Sequence, residues 1–359
     1  MKAAVLVGPG KVELGDRPKP GINAETDVRV RIATVGICGS DLHYFSEKVV
    51  GDTVMKYPVV LGHECAGVVE DAGRGVTRVR PGDRVAVEPA ISCGACDQCR
   101  GGRPNTCRTI EFLGHPKERP GALAEFIVMP EENCLPMPPG MSFAQATLAE
   151  PLSIAVHAVN LAGGVEGKTV AVLGSGAIGL CVALVLGNRG SAPPFMTDKV
   201  DDRLRAAAAH AGARWTGNPL HLDVVEEVRG REPGGLDIVF ECCGKQEALD
   251  QAVEMLKPGG TLMLVGIPLE ERVSFNISRL RRREIRLQNV RRQNRCMEKA
   301  LEMIGGRAVD VDFLATHTFA LEQAQLAFDT ALRYRDGVLK ALIGVALIGV
   351  GPQQIAVIK

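Results

Sequence analysis

The chain has 359 residues, which is long enough for roughly two domains. Hydrophobic residues make up 46% and charged residues 23%, a composition typical of soluble globular proteins. Lys plus Arg number 42 and so do Asp plus Glu, which gives a formal net charge of zero and argues against a nucleic-acid-binding protein, because those carry a basic excess. The longest apolar run, residues 338–350, is interrupted by Lys340 and is shorter than the ~20 residues of a membrane-spanning helix.

The part of the chain before residue 150 is predicted to consist mainly of β-strands. The N-terminal apolar run ends at a Gly-Pro turn and favours a first strand over the core of a signal peptide, so we expect a soluble, cytoplasmic protein. Runs rich in Val, Ile and Ala, bounded by turn residues, predict further strands at 27–34, 66–71 and 84–87. Strands at this spacing indicate an all-β barrel or sandwich-like domain.

The pattern changes near residue 150 to an alternation of strands and helices. Strands are predicted at 169–173, 194–197, 236–240 and 260–265, and helices at 152–162, 177–186, 201–211 and 246–256. This alternation predicts an α/β fold with a doubly wound parallel sheet. Near residue 290 it ends, and two helices (297–304 and 321–334) with a final strand from residue 338 are predicted to return to the first domain.

A Gly-x-Gly-x-x-Gly motif follows the strand at 169–173 and begins the next helix. In this context Gly174 allows a tight turn, Gly176 lets a pyrophosphate approach the backbone, and Gly179 lets the helix pack on the strand. The helix N-terminus then offers N–H groups to the phosphates. The motif indicates a dinucleotide site, although three glycines after a strand also occur in a tight turn without a ligand.

Asp198 follows the second predicted strand, where an acidic residue of a dinucleotide site binds the ribose hydroxyls. A carboxylate there repels a 2′-phosphate, so Asp198 favours NAD over NADP. Two alternatives stay open: Asp198 is a helix cap before Asp201, or the nearby Arg203 receives a 2′-phosphate.

Four of the 11 cysteines fall within fifteen residues, in the pattern Cys93-x-x-Cys96-x-x-Cys99-x7-Cys107. Four thiolates at this spacing can close a tetrahedron around Zn²⁺ and leave no open position, which indicates a structural metal site. An iron–sulfur cluster of the ferredoxin type has a shorter last gap followed by Pro. Disulfides in a secreted protein are the other alternative.

Three further motifs are weak singly: CGSDLHY at 38–44, GHE at 62–64 and EPLS at 150–153. Together with the cysteine cluster and the glycine motif, in this order, they make the chain resemble the zinc-dependent medium-chain dehydrogenase/reductase superfamily over essentially its whole length. Within that superfamily it looks most like the polyol (sorbitol, L-iditol, xylitol) dehydrogenases, because Glu150 stands where the alcohol dehydrogenases have a second cysteine ligand.

The resemblance implies a Rossmann domain at 153–290 and a β-rich, GroES-like catalytic domain formed by 1–152 and 291–359. It implies NAD and two zinc ions per subunit, one catalytic and one structural. The expected reaction is hydride transfer from a secondary alcohol of a small-molecule polyol to NAD, giving a ketose. Assembly as a homo-oligomer, a dimer or tetramer, is also implied, with no membrane or nucleic-acid partner.

Carried over to this sequence, the resemblance implies that Cys38, His63 and Glu64 bind the catalytic zinc, with Glu150 binding it directly or through its water. Ser40 and His43 would pass the substrate proton to water; a structural hydrogen bond is the alternative for His43. The cofactor cleft would add further residues to the glycines and Asp198, namely Ile178, Arg203, Val265, Gly266 and Ile267.

Tyr44, Phe112, Arg291 and Asn294 match positions that line the polyol pocket in the family. The sequence departs from the family at Arg292, which replaces a tyrosine, and in the charged loop 116–120. Other substrates therefore stay open: a cyclitol, an acidic sugar derivative, a vicinal diol or a threonine-like amino acid. A protein that has lost catalysis is a further alternative.

Eight arginines lie between residues 279 and 295, against one acidic residue. This stretch could be a nucleic-acid patch. No nucleic-acid motif accompanies it, so a solvated or subunit-contacting face is the favoured interpretation.

Overall fold

The computed structural model describes residues 1–50, 53–270 and 272–345 of the chain. These residues form two compact units. The first falls within Met1–Glu150, Ala300–Gly306 and Leu314–Lys359, and the second comprises Pro151–Lys299 and Arg307–Phe313. The domain boundaries after residues 152 and 290 stay predictions. The parts of the predicted last strand and of the predicted catalytic domain that follow residue 345 lie outside the described residues.

The strands are, in chain order, β1 Lys2–Gly8, β2 Lys11–Asp16, β3 Asp27–Gly36, β4 Val49–Val50, β5 Thr53–Val54, β6 Glu64–Ala72, β7 Arg84–Val87, β8 Ala90–Ile91, β9 Glu111–Phe112, β10 Phe126–Pro130, β11 Cys134–Pro136, β12 Val170–Leu173, β13 Phe195–Thr197, β14 Trp215–Gly217, β15 Leu236–Glu241, β16 Leu256–Leu264, β17 Arg286–Asn289, β18 His317–Ala320 and β19 Ala341–Gly344. The α-helices are α1 Gly39–Ser46, α2 Asp97–Arg100, α3 Phe143–Ala162, α4 Ala177–Asn188, α5 Asp201–His210, α6 Val224–Arg231, α7 Gln246–Met255, α8 Ile277–Arg283, α9 Met297–Gly305 and α10 Ala324–Leu332. Short 3₁₀ turns lie at Pro104–Thr106, Glu131–Asn133, Asp312–Leu314, Leu321–Gln323 and Arg335–Gly337.

The first unit is built on a seven-stranded sheet with β3 near its middle. The strand order is β11-β7-β6-β3-β19-β18, and β10 also pairs with β3. Alternate residues of β3 are buried, among them Val28, Val30 and Ile32, as expected for a strand with one face on the core. The late strand β19 pairs antiparallel with β3, so a segment near the end of the described chain joins the same sheet as β3.

The second unit contains a six-stranded parallel sheet in the order β14-β13-β12-β15-β16-β17. Numbered within the unit this is 3-2-1-4-5-6, the Rossmann order, in which a ligand binds beyond the carboxyl ends of the strands where the order reverses. All four residues of the central strand β12 are buried, as in parallel sheets covered on both faces. The predicted α/β fold with a doubly wound sheet and a second, β-rich domain is confirmed.

One predicted helix starts too late, and α8 was not predicted. The helix predicted at 152–162 begins at Phe143, and a proline at 151 lies inside it. Ala146, Leu148, Ala149 and Leu152 are all almost fully buried, and this packing outweighs the helix-breaking tendency of the proline. The helix α8, inside the arginine-rich stretch, had no apolar periodicity to predict it.

Candidate functional site

Cys38, His63 and Glu64 are brought together at one end of β3 and β6 in the first unit. Single potential ligand atoms of the three residues all lie within 4.8 Å of one another. Cys38 is the residue before α1, and Glu64 is the first residue of β6, paired with Gly36 at the end of β3. A Cβ atom on Gly36 would lie 2.2 Å from Glu64 Oε2, so the strand needs glycine there to leave room for the carboxylate.

Asp41 supports both Cys38 and His63, a role that the sequence analysis did not assign to it. Its buried carboxylate accepts hydrogen bonds from the N–H of Cys38 (3.0 Å) and of Gly62 (3.3 Å), and lies 3.5 Å from His63 Nδ1. Burial alone would lower the pKa of His63, but Asp41 and Cys38 raise it well above its usual value. A carboxylate behind a histidine is the usual support of a metal-binding imidazole, and the spacing Cys38-x-x-Asp41 at a helix start could have signalled it.

Lys340 is the second residue of the site that sequence reasoning missed. Its ammonium donates to Glu64 Oε1 (2.7 Å), to Glu64 Oε2 (2.9 Å) and to the carbonyl of Ile37 (3.1 Å), and it is buried. Burial alone would lower the pKa of Lys340, but Glu64 raises it above the ordinary lysine value, with smaller contributions from Cys38 and Glu150. A single lysine in an apolar run demands a buried carboxylate, which is the signal that could have identified it.

Glu150 is buried in the same unit but is not one of the three residues whose ligand atoms cluster within 4.8 Å among the described residues. Its charge reaches Lys340 and Cys65, whose pKa values it helps to raise. The carboxylate is therefore close to the cluster without joining it in this arrangement.

Ser40, His43 and Tyr44 lie on one face of α1, because residues three and four apart are neighbours on a helix. All three are half-buried, whereas Asp41 and Phe45 on other faces are fully buried. The ring of Phe112, from β9, lies 5.0 Å from the ring of His63, and Tyr44 makes an edge-on contact at 5.9 Å with His115. Phe112 therefore lies beside a residue of the metal-ligand cluster, and Tyr44 lies on the helix that Cys38 precedes.

The other two predicted pocket residues, Arg291 and Asn294, lie in the second unit, in the segment after β17. The carbonyl oxygen of Asn294 accepts a hydrogen bond from the thiol of Cys296 at 3.2 Å. Their neighbour Arg292 has a positive φ of 51°, so the backbone turns sharply where the family has its tyrosine.

The four-cysteine lobe between β8 and β9 has the geometry of a closed tetrahedral site. The Sγ atoms lie 3.5 to 4.0 Å apart: 3.5 Å for Cys93–Cys107, 3.6 Å for Cys96–Cys99, and 4.0 Å for Cys93–Cys99 and Cys96–Cys107. Zn–S bonds of about 2.3 Å give sulfur separations of ~3.8 Å in a regular tetrahedron, so the four thiols fit zinc. The N–H groups of Ala95 and Cys96 lower the pKa of Cys93 to about 6, which favours the thiolate that a metal needs.

The dinucleotide motif in the second unit has the geometry that its glycines predict. Gly174 has a φ of +98°, a conformation that favours glycine, and a Cβ on Gly179 would lie 1.8 Å from the carbonyl oxygen of Gly174. Gly176 precedes the first residue of α4, whose second residue is Ile178, so the first N–H groups of the helix face this turn. Any side chain at Gly174 or Gly179 would displace backbone.

Asp198 follows β13 and is tied to the glycine turn. Its carboxylate accepts hydrogen bonds from the N–H of Ser175 (2.8 Å) and of Val200 (2.9 Å), and Arg203 Nη1 lies 3.7 Å from it. The geometry is compatible with both alternatives for this region. Asp198 binds the residue before α5, as a helix cap would, and Arg203 lies close enough to Asp198 to receive a 2′-phosphate.

Val265, Gly266 and Ile267 follow β16 on the same side of the sheet. Gly266 is packed so closely that a Cβ atom would lie 2.3 Å from the N–H nitrogen of Gly244, while the side chain of Ile267 is 61% exposed. They lie beyond the carboxyl end of β16, at the edge of the sheet where ligands bind in folds of this strand order.

None of the helices in the described part of the chain combines the length and the apolarity that crossing a bilayer requires.

Two family profiles match the chain: one described as alcohol dehydrogenase GroES-like domain over residues 24–139, and one described as zinc-binding dehydrogenase over 177–305. Sorbitol dehydrogenase of Bacillus subtilis is 34% identical over 344 residues, which cover 96% of this chain and 97% of that protein. The chain belongs to the zinc-dependent medium-chain dehydrogenases. It is thus an oxidoreductase, as the resemblance implied.

L-idonate 5-dehydrogenase of Vitis vinifera is 35% identical over 314 residues, which cover 86% of this chain and 85% of that protein. Among solved structures, a zinc-binding dehydrogenase of Sinorhizobium meliloti 1021 with NADP bound superimposes with a TM-score of 0.88 at 30% identity, over 96% of this chain and 99% of the other. Similar chains are therefore named for a polyol and for a sugar acid, and one of them binds the phosphorylated dinucleotide.

Proposed function

We propose that the protein oxidises a secondary alcohol of a polyol of the sorbitol, xylitol or L-iditol type to a ketose, with NAD as the hydride acceptor. The observation that carries the proposal is the cluster of one half-buried thiol, one buried imidazole and one buried carboxylate, from Cys38, His63 and Glu64, in a dehydrogenase. The nearby acid at 150, where alcohol-specific relatives have a cysteine, and the similarity to a sorbitol dehydrogenase favour a polyol as the substrate.

The donor set of the cluster fits a catalytic zinc ion, which takes three protein ligands of these types and keeps a fourth position open. In this proposal Cys38, His63 and Glu64 hold the ion, and Glu150 approaches it directly or through its water. Zinc bound there acts as a Lewis acid that lowers the pKa of the substrate hydroxyl. Lys340 shares Glu64 with the metal and limits the negative charge that the carboxylate contributes.

Ser40 and His43 are proposed to carry the substrate proton toward water. Ser40 Oγ would accept the proton and release its own hydroxyl proton to the nicotinamide ribose, from which it would reach His43 and then water; both residues lie on the half-buried face of α1, two and five residues after Cys38. Asp41 keeps the start of this helix and His63 in a fixed relation, because it binds both.

NAD is proposed as the cofactor because Asp198 follows β13, where an acidic residue of a dinucleotide site binds the ribose, and its carboxylate is hydrogen-bonded to the glycine turn. It would accept both ribose hydroxyls and repel a 2′-phosphate. The glycine turn would receive the pyrophosphate, and Ile178, Arg203 and Val265 to Ile267 would line the cleft. When bound, NAD supplies the hydride acceptor.

Tyr44, Phe112, Arg291 and Asn294 are proposed to contact the polyol, and Cys93, Cys96, Cys99 and Cys107 to hold a structural zinc ion. We further propose a dimer or tetramer acting in the cytoplasm, which light scattering of the purified protein and fractionation of cells would test.

The test is a substrate panel followed by the absorbance of the reduced dinucleotide. It should contain alditols, cyclitols, vicinal diols, L-threonine and aldonates, each with NAD and with NADP, before and after chelation and after zinc is restored. We expect alditols with NAD to give the highest kcat/KM, and chelation with loss of the ion to abolish activity until zinc returns. A higher kcat/KM for L-threonine or for an aldonate would contradict the polyol, and full activity in protein shown to be free of metal would contradict the mechanism.

A further inference from the structure

The charged loop 116–120, in which the chain departs from the family, is flanked by residues that are fixed against the segment preceding His63. Gly121, Ala122 and Leu123 donate hydrogen bonds to the carbonyls of Val60, Gly62 and Leu61, respectively, at 2.8 to 3.0 Å. A Cβ atom on Gly114 would lie 2.8 Å from the carbonyl oxygen of Gly62, so the two backbones touch there. The loop is therefore part of the wall around the metal-ligand cluster.

His115 is the residue beside this loop that is turned toward the predicted pocket. Its ring meets the ring of Tyr44 edge-on, with the centroids 5.9 Å apart and an interplanar angle of 87°, and the ring of Phe112 is tilted by 54° against that of His63 at 5.0 Å. His115 Nδ1 lies 3.2 Å from Glu118 Oε1, and a turn closed by the N–H of Glu118 on the carbonyl of His115 keeps the pair together. The imidazole is thus held from two sides.

The charges of the loop and its flanking residues compensate one another. Glu111 pairs with Arg119 at 3.6 Å, and the segment 111–119 contains two acidic and two basic residues, so its formal charge is zero when histidine is counted as neutral. A wall without net charge suits an uncharged hydroxyl better than a carboxylate or a phosphate, whose burial requires a matched cation.

We propose that His115 is a specificity-determining residue whose Nε2, on the side of the ring away from Glu118, hydrogen-bonds a hydroxyl next to the reacting carbinol of the substrate. A site built to bind a hydroxyl discriminates strongly against analogues that lack it, because a polar group is then left unpaired. His115 therefore selects polyols over simple secondary alcohols. This inference rests on the proposed function.

The test compares kcat/KM for xylitol and sorbitol with kcat/KM for 2-butanol in the wild type and in three variants. His115→Ala should lower kcat/KM for the alditols by about 10- to 100-fold and leave that for 2-butanol nearly unchanged. His115→Gln, whose amide reaches near the Nε2 position, should recover part of the loss. His221→Ala, which changes an exposed histidine of the second unit, is the matched control and should change neither value.

A second measurement tests the contact without turnover. In zinc-loaded protein saturated with the reduced dinucleotide, the ¹⁵N resonance of His115 Nε2, assigned by its absence in His115→Gln, should shift on addition of xylitol and stay in place with 2-butanol. An equal loss for both classes of alcohol, or a resonance that xylitol does not move, would overturn the inference. If the wild type prefers polyols and His115→Ala keeps the same preference, the inference alone is overturned. If the wild type has no preference for polyols, the proposed function is overturned as well.

Discussion

Replacing Lys340 by methionine is expected to destabilise the first unit more than any surface lysine change. The ammonium is 5% exposed and its partner Glu64 is 1% exposed, and the three hydrogen bonds of 2.7, 2.9 and 3.1 Å all disappear in the variant. Methionine keeps most of the side-chain volume, so the loss reports the charge. Removing one partner of a buried ion pair costs about 3–5 kcal/mol of unfolding free energy, because the other charge stays buried without compensation.

The assay measures the urea unfolding of chelator-treated protein, with the signal of a spectroscopic probe in the first unit as the readout. Lys11→Met is the matched control, because Lys11 makes a 2.6 Å pair with Glu13 that is 66% and 52% exposed and should cost less than about 1 kcal/mol. The double variant Lys340→Met/Glu64→Gln should be more stable than Lys340→Met, since it removes the orphaned charge. Equal losses for Lys340→Met and Lys11→Met would refute the reasoning.

Three further predictions concern the proposed metal and cofactor sites. Cys38→Ser should abolish polyol oxidation and leave the unfolding midpoint near that of the wild type, whereas Cys134→Ser, which changes a buried thiol outside the cluster, should keep activity; residual turnover in Cys38→Ser would argue against its role as a ligand. Cys99→Ser should lower the melting temperature and the zinc content by one ion per chain, with kcat at low temperature little changed, and an unaltered melting temperature would remove the structural-zinc proposal. Asp198→Ala should raise the ratio of kcat/KM for NADP over NAD by about tenfold or more, because it removes the repulsion of a 2′-phosphate and the ribose hydrogen bonds; an unchanged ratio would point to Arg203 instead.

Four of the six strands of the Rossmann unit, β12, β13, β15 and β16, and the helices α4, α5 and α7 were predicted from the sequence. The strands β12, β13 and β15 are short, mostly buried runs, and each is followed by a helix, so local composition indicates the elements. The glycine motif needed no long-range information, because Gly174 and Gly179 meet within one strand–helix turn. The strand β14, the helices α6 and α8, and the exposed edge strand β17 were missed.

The metal-ligand cluster was predicted from motifs, but the residues that support it were only partly within reach of sequence reasoning. Asp41 is three residues from Cys38, so the sequence spacing could indicate their contact. Lys340 and Glu64 are 276 residues apart, and no sequence pattern indicates that these two residues pair. His115 lies in a loop that no periodicity describes, and only its contact with Tyr44 identifies it. Pairing between distant segments is decided by packing, which a sequence pattern does not encode.

The separation of Lys340 from Glu64 also sets an order of events during synthesis. The four sulfurs between Cys93 and Cys107 leave the ribosome almost together, so that lobe has all its ligands as soon as it emerges. Glu64, in contrast, waits for a countercharge encoded 276 codons later, which takes about 14 to 55 s at typical translation speeds. For that interval the sheet also lacks β19, the partner of β3, which follows Lys340 directly in the described chain.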